Sequence, residues 1–127
     1  MLLHEEITNT IIKCFYKVYN ELGFGFLEKV YENAMLIELR SHELTVSRQV
    51  PVEVFYLGNL VGNYFADITV ENKIIIELKA GEGGLVEEHE LQLINYLKAT
   101  KMEVGLLLSF GKKPEFKRKI FTNNNKL

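Results

Sequence analysis

Residues 64–79 read Tyr64-Phe65-Ala66-Asp67-Ile68-Thr69-Val70-Glu71-Asn72-Lys73-Ile74-Ile75-Ile76-Glu77-Leu78-Lys79. Three successive isoleucines suit a strand buried on both faces. Such a strand should not continue into Glu77 and Lys79 unless these are paired or bind something. A period of two puts Glu77 and Lys79 on one face and Ile76 and Leu78 on the other. If Glu71-Asn72-Lys73 is a three-residue loop, Val70 faces Ile74 and Asp67 faces Glu77. Directly opposed residues share a face, with Cβ atoms about 5 Å apart. Two carboxylates at that spacing repel, and a divalent cation between them resolves the conflict. A one-residue slip in register would remove the site.

Working outward, Ile7, Ile11, Cys14, Phe15, Val18 and Leu22 recur at helical spacing and predict a helix over Glu5–Leu22. Gly23-Phe24-Gly25 breaks it. A second helix is expected from about Phe26 to Ser41, with Leu27, Val30, Ala34 and Ile37 on its apolar side. Glu28 shares an arc with Tyr31, Met35 and Leu39, which points it towards the protein and calls for a partner or a metal. Val50–Tyr56 is β-branched and aromatic, and Leu57-Gly58-Asn59-Leu60 reads as a hairpin turn. Strands are expected at about Leu60–Val70 and Lys73–Lys79. A helix follows over Glu87–Thr100, then an apolar strand over Glu103–Ser109 and a short strand over Phe116–Phe121. The order α-α-β-β-β-α-β-(β) predicts an α/β domain with a mixed sheet flanked by helices. The helix Glu87–Thr100 should cross between two parallel strands.

The chain has 127 residues, 47% hydrophobic and 25% charged, with a net charge of −2. That is the composition of an ordinary soluble domain, and residues 1–127 are expected to form one. No apolar run reaches the roughly 18 residues of a membrane span. The opening MLLHEEITNT lacks the basic start of a signal peptide. A single cysteine, Cys14, excludes an internal disulfide and fits a reducing compartment, so a cytoplasmic location is expected. Cys14 sits among apolar residues and is expected in the core. No Cys or His spacing suggests zinc, and His4 and His42 have no supporting constellation. Charge is uneven: Gly111–Leu127 holds five lysines, one arginine and one acid, whereas Gly81–Glu90 holds four glutamates and no Lys or Arg. A basic tail over about 111–127 would then hold phosphates, or simply be solvated surface.

Asp67 followed by Glu77-Leu78-Lys79 resembles the motif of the PD-(D/E)XK, or restriction-endonuclease-like, superfamily, an acid on one strand and Glu-X-Lys on the next. Gly25-Phe26-Leu27-Glu28-Lys29-Val30-Tyr31 reads G-x-x-E-x-x-Y. With Glu-Leu-Lys-Ala and Gln92-Leu93-Ile94-Asn95-Tyr96-Leu97 it is similar to the small GxxExxY family of that superfamily, over about Glu5–Phe121. Phe24 stands where a proline is expected, which affects the helix joint and leaves the acids untouched.

The resemblance implies a metal-dependent nuclease acting on nucleic acid, DNA ahead of RNA. It places Mg²⁺ or Mn²⁺ on Asp67, Glu77 and the Leu78 backbone carbonyl, with Glu28 in support. Lys79 is the catalytic residue beside Asp67 and Glu77. Gln92 and Tyr96 lie on one face of a helix, and His89 falls on the same arc. A Q-x-x-x-Y pair after the Glu-X-Lys strand resembles the recombination-repair exonucleases, where it lines the DNA path. Tyr31 is grouped with these as a supporting residue. A homodimer or a partner protein is expected to supply further DNA contacts. The competing expectation is a catalytically silent module that binds nucleic acid or a partner on the same fold.

Overall fold

The computed structural model describes residues 2–126. Met1 and Leu127, the ends of the expected domain, lie outside the described residues. Two helices come first, α1 (Glu5–Leu22) and α2 (Glu28–Ser41). Strands β1 (Val46–Tyr56), β2 (Asn59–Val70) and β3 (Ile74–Ala80) follow. Then come α3 (Glu87–Lys98), β4 (Val104–Phe110), β5 (Pro114–Ile120) and a 3-10 turn, Asn123–Asn125. The sheet runs β1-β2-β3-β4-β5. Only β3 and β4 are parallel, joined through α3, and the other pairs are antiparallel. The expected order, the parallel pair and the helix-flanked mixed sheet are all present. The expected tail is not a tail, since Pro114–Ile120 is an edge strand.

Local chemistry explains the turns. Leu57 and Gly58 both take positive φ, 49° and 79°, which gives the two-residue hairpin turn that matches strand twist. Val70 pairs with Ile74 across Glu71-Asn72-Lys73, the register expected from the sequence.

The central strands are covered on both faces, whereas the outer half of the β1–β2 hairpin leaves Phe55, Tyr56, Leu60 and Val61 exposed. Helices α1 and α2 pack Phe15, Tyr31, Met35 and Leu39 against Ile74, Ile76, Leu78 and Phe110. Helix α3 packs Leu93, Tyr96 and Leu97 against Ile75, Leu107 and Ala66. Gly105 on β4 lets α3 settle close, because a Cβ there would lie 2.6 Å from a Leu93 branch carbon.

The apolar side of α2 differs from the expectation. Leu27 and Ile37 are 78% and 70% exposed, and Val30 is exposed as well. The buried stripe is Tyr31, Met35 and Leu39, one step round the helix. Tyr31 decides this, because its ring stacks on Phe110 at 4.2 Å and its hydroxyl donates to the Gly23 carbonyl at 2.7 Å. The same hydroxyl accepts the Phe26 N–H at 3.3 Å. A fully buried aromatic with both polar demands met outweighs several aliphatic side chains of partial burial.

Candidate active site

Pairing of β2 with β3 runs from Val70↔Ile74 to Ile68↔Ile76. The next pair in that register is Asp67 with Glu77, and here the backbone ladder gives way to side chains. The Asp67 N–H donates to Glu77 Oε2 at 2.8 Å, and the Leu78 N–H donates to Asp67 Oδ2 at 2.8 Å. Each carboxylate thus satisfies a backbone donor of the opposite strand, and the two acids clamp the point where the strands part.

A kink in the sheet sets this up. Ile68 packs under α1 and α2, whereas Ala66, two residues earlier, packs under α3. Residues two apart in a regular strand share a face, so β2 changes faces at Asp67. On β1, the pairs Arg48↔Ile68 and Val50↔Ala66 flank Gln49, which has φ 50°. The Gln49 side chain donates to Glu32 Oε1 at 2.8 Å, and Arg48 donates to Glu32 Oε2 at 2.8 Å. Lys29 reaches the same carboxylate at 3.2 Å. Glu32 is therefore a buried, fully partnered acid that ties α2 to the kink opposite Asp67.

The two central acids sit in an unfavourable field. Glu77 is 4% exposed. Burial, and then the Asp67 charge, push its carboxyl up to about 8. Burial also raises Asp67 above the usual range. The Leu78 N–H bond opposes that rise, and the charges of Glu28 and Glu32 add to it. Two neighbouring acids that resist ionisation fit a divalent cation, which supplies the missing positive charge. Lys79, half-buried on β3, pulls both acids down. Asp67 and Leu78 line a cleft of about 270 Å³ with Glu28, Lys29, Glu32 and Gln49.

Glu28 corrects its expectation. It is exposed at the first turn of α2, and it does not point into the core. It lines the cleft beside Asp67, and its charge is felt by both acids. Tyr31 is in the core, so its part is to pin the Gly23–Phe26 joint from which α2, and with it Glu28, sets out. Gly25 has φ 110°, a conformation that favours glycine, which explains the first residue of the G-x-x-E-x-x-Y run.

On α3, the Gln92 amide donates to the Tyr96 hydroxyl at 3.0 Å. Tyr96 is buried, and its hydroxyl is pushed up to about 12, first by burial and then by the charges of Glu77 and Asp67. Tyr96 thus lies in the field of the two acids, and Gln92 is tied to its hydroxyl. His89 lies at the start of α3, where its Nδ1 accepts the Val86 N–H at 3.3 Å. Burial and the Lys79 charge lower its pKa.

Sequence reasoning missed Glu32, Arg48, Gln49 and Tyr64. The Tyr64 ring lies 5.8 Å from that of Tyr96. Glu32 had one available signal, its place four residues after Glu28 on the same helix face. Gln49 had none. The basic end is also less free than its charge count suggests. Lys117 pairs with Glu90 of α3 at 2.9 Å, and Lys119 pairs with the same carboxylate. Among the described residues, one trio of metal-ligating side chains brings its donor atoms within 4.8 Å of one another. It is Cys14, Glu38 and His42, not the acids of the cleft.

A model of the PD-(D/E)XK nuclease superfamily matches residues 5–119. The chain matches no curated protein and no solved structure.

Proposed function

The chain belongs to the PD-(D/E)XK nuclease superfamily, and from that premise we propose that it is a Mg²⁺- or Mn²⁺-dependent nuclease acting on DNA ahead of RNA. The observation that carries this reading is the reciprocal clamp. Asp67 and Glu77 each take one backbone N–H from the other strand, in a partly buried setting, with Lys79 one residue beyond Leu78. Nothing about sheet stability requires two acids there, since an apolar pair would avoid the desolvation cost.

Asp67, Glu77 and the Leu78 carbonyl would hold the ion, with Glu28 acting through water from the rim of the cleft. When bound, it supplies positive charge to the phosphate and lowers the pKa of a coordinated water. Lys79 orients the attacking water and offsets charge that develops on the phosphate, as a mobile point charge suited to that task. Gln92 fixes the Tyr96 hydroxyl, and Tyr96, Tyr64 and His89 border the path of the strand being cut. This arrangement fits the GxxExxY branch and a role in DNA repair. A single domain over residues 1–127, acting in the cytoplasm, completes the reading.

The test is a cleavage screen of purified protein on single- and double-stranded DNA and RNA, with Lys79→Ala as control. Metal-dependent cleavage of DNA that Lys79→Ala abolishes supports the reading. Absence of cleavage on every substrate, with a melting temperature that Mg²⁺ and Mn²⁺ leave unchanged, overturns it.

One observation favours a second reading, a binding module without turnover. Glu90 already occupies Lys117 and Lys119, so less basic surface is left for phosphates, which within this reading favours a protein partner over nucleic acid. Such a module would bind nucleic acid or a protein partner equally well with metal chelated. Gel filtration would separate a monomer from a homodimer that supplies extra contacts.

A further inference from the structure

At the far end of α2 from Glu28, three side chains of different chemistry meet. Cys14 comes from α1, Glu38 from the last turn of α2, and His42 from the residue that ends it. One donor atom of each lies within 4.8 Å of the other two. Glu38 and His42 are four residues apart, and His42 Nε2 lies 3.6 Å from Glu38 Oε2. Cys14 is almost fully buried, Glu38 is 15% exposed and His42 is 43% exposed. The trio forms a mouth that opens from a buried sulfur to solvent.

From this geometry we propose that Cys14, Glu38 and His42 form a second metal site, for a borderline-soft divalent ion of the Zn²⁺ class. The donor set decides the class. Thiolate and imidazole select Zn²⁺ over Mg²⁺ or Ca²⁺, which take oxygen ligands. Three protein ligands with one open position, filled by water, complete a tetrahedron. Tetrahedral zinc places its N, O and S donors about 3.4–3.6 Å apart, so the trio must close by roughly 1 Å. His42, which is 43% exposed and already lies 3.6 Å from Glu38, is free to make most of that movement. On binding, a metal–sulfur bond replaces the Cys14 S–H bond and the proton leaves to solvent. One thiolate and one carboxylate then balance the two charges of the ion. Lys17, which pairs with Glu38 at 3.2 Å and is 61% exposed, gives up that carboxylate and turns to water.

The site joins α1 to α2, and α2 carries Glu28 and Glu32 to the cleft. Its occupancy stiffens that joint without contributing to phosphodiester chemistry. It stands independently of the nuclease reading, because none of its ligands lines the cleft.

The experiment is a Co²⁺ titration of the full chain under reducing conditions, followed by near-ultraviolet absorption. A cobalt–thiolate charge-transfer band reports sulfur ligation, which an all-oxygen site cannot give. We expect the band to saturate at one equivalent, to be abolished by Zn²⁺, and to persist in Asp67→Asn. Cys14→Ser and His42→Ala should each remove it. His42→Ala changes a partly exposed residue beyond a helix end, so it keeps the test decisive if Cys14→Ser fails to fold. Zn²⁺ should raise the melting temperature of Asp67→Asn, in which the cleft acids no longer hold an ion, and adding His42→Ala to that background should abolish the rise. No band in the parent protein, or a band unchanged in His42→Ala, overturns the proposal.

Discussion

Lys79 is the residue whose removal should separate chemistry from structure. It is half-buried and not part of the apolar core, so Lys79→Ala should fold normally. Loss of its charge at the phosphate should lower turnover by about 10²-fold or more. Much of the metal binding should survive, which calorimetry with Mn²⁺ would show. On the proposed reading, Asp67→Asn should lose both metal and cleavage, because a neutral amide would replace one charged ligand of the ion. Glu77 adds a pH dependence in the metal-free protein. Its carboxyl is pushed up to about 8 from an ordinary 4.5, so the folded protein keeps a proton that the unfolded chain releases between those values. Stability therefore falls as pH rises from about 4.5 to 8. Thermal melts in chelator should show that decline, and Glu77→Gln should flatten it. Mg²⁺ should raise the melting temperature more at pH 8 than at pH 5. Equal shifts at both would count against metal binding by this acid.

Helix α2 is held at two points, and each has a different consequence. Tyr31→Phe keeps the ring on Phe110 but leaves the Gly23 carbonyl and the Phe26 N–H without their partner. The cost should be about 1–2 kcal/mol in denaturant melts. Activity should fall further than stability, because the joint that sets the direction of Glu28 is loosened. Glu32→Ala removes a buried acid that three donors share. Because Arg48 is 40% exposed, the released charges find water. A loss of about 2 kcal/mol is expected, less than for a fully buried pair. The kink at Gln49 should relax with it, so Mn²⁺ affinity should fall as well. A Glu32→Ala protein with normal affinity would show that the kink holds without α2.

The whole molecule is three layers, and the cleft depends on their spacing. The α3 layer rests on β4 at Gly105, where a methyl group would press on the Leu93 side chain. Gly105→Ala should cost about 1–3 kcal/mol by overpacking. It should also lift Tyr96 and Gln92 from the acids, so turnover should drop although no residue of the site is changed. Opposite charges close the other side of the same layer. Lys117 and Lys119 on β5 grip Glu90 on α3 and hold its carboxyl down near 2. The basic end and the acidic middle of the chain thus serve in part to bind each other.

Sequence by itself determined the element order, the Val70↔Ile74 register, the placing of Glu77 and Lys79 opposite Leu78, and the Gln92–Tyr96 pair. These follow from periodicity and loop length, which are local quantities. It also marked Asp67 as the partner of Glu77, because a three-residue loop leaves one register. Tertiary structure alone decided the buried side of α2, since only the aromatic stack on Phe110 selects Tyr31 over Leu27 and Ile37. It alone brought Gln49 and Glu32 beside the acids, because a strand kink between distant residues has no periodic trace. It alone set Cys14, Glu38 and His42 together, from two helices whose packing angle no spacing records. Local pattern fixes which residues share an element face, while contacts between elements depend on how whole faces meet.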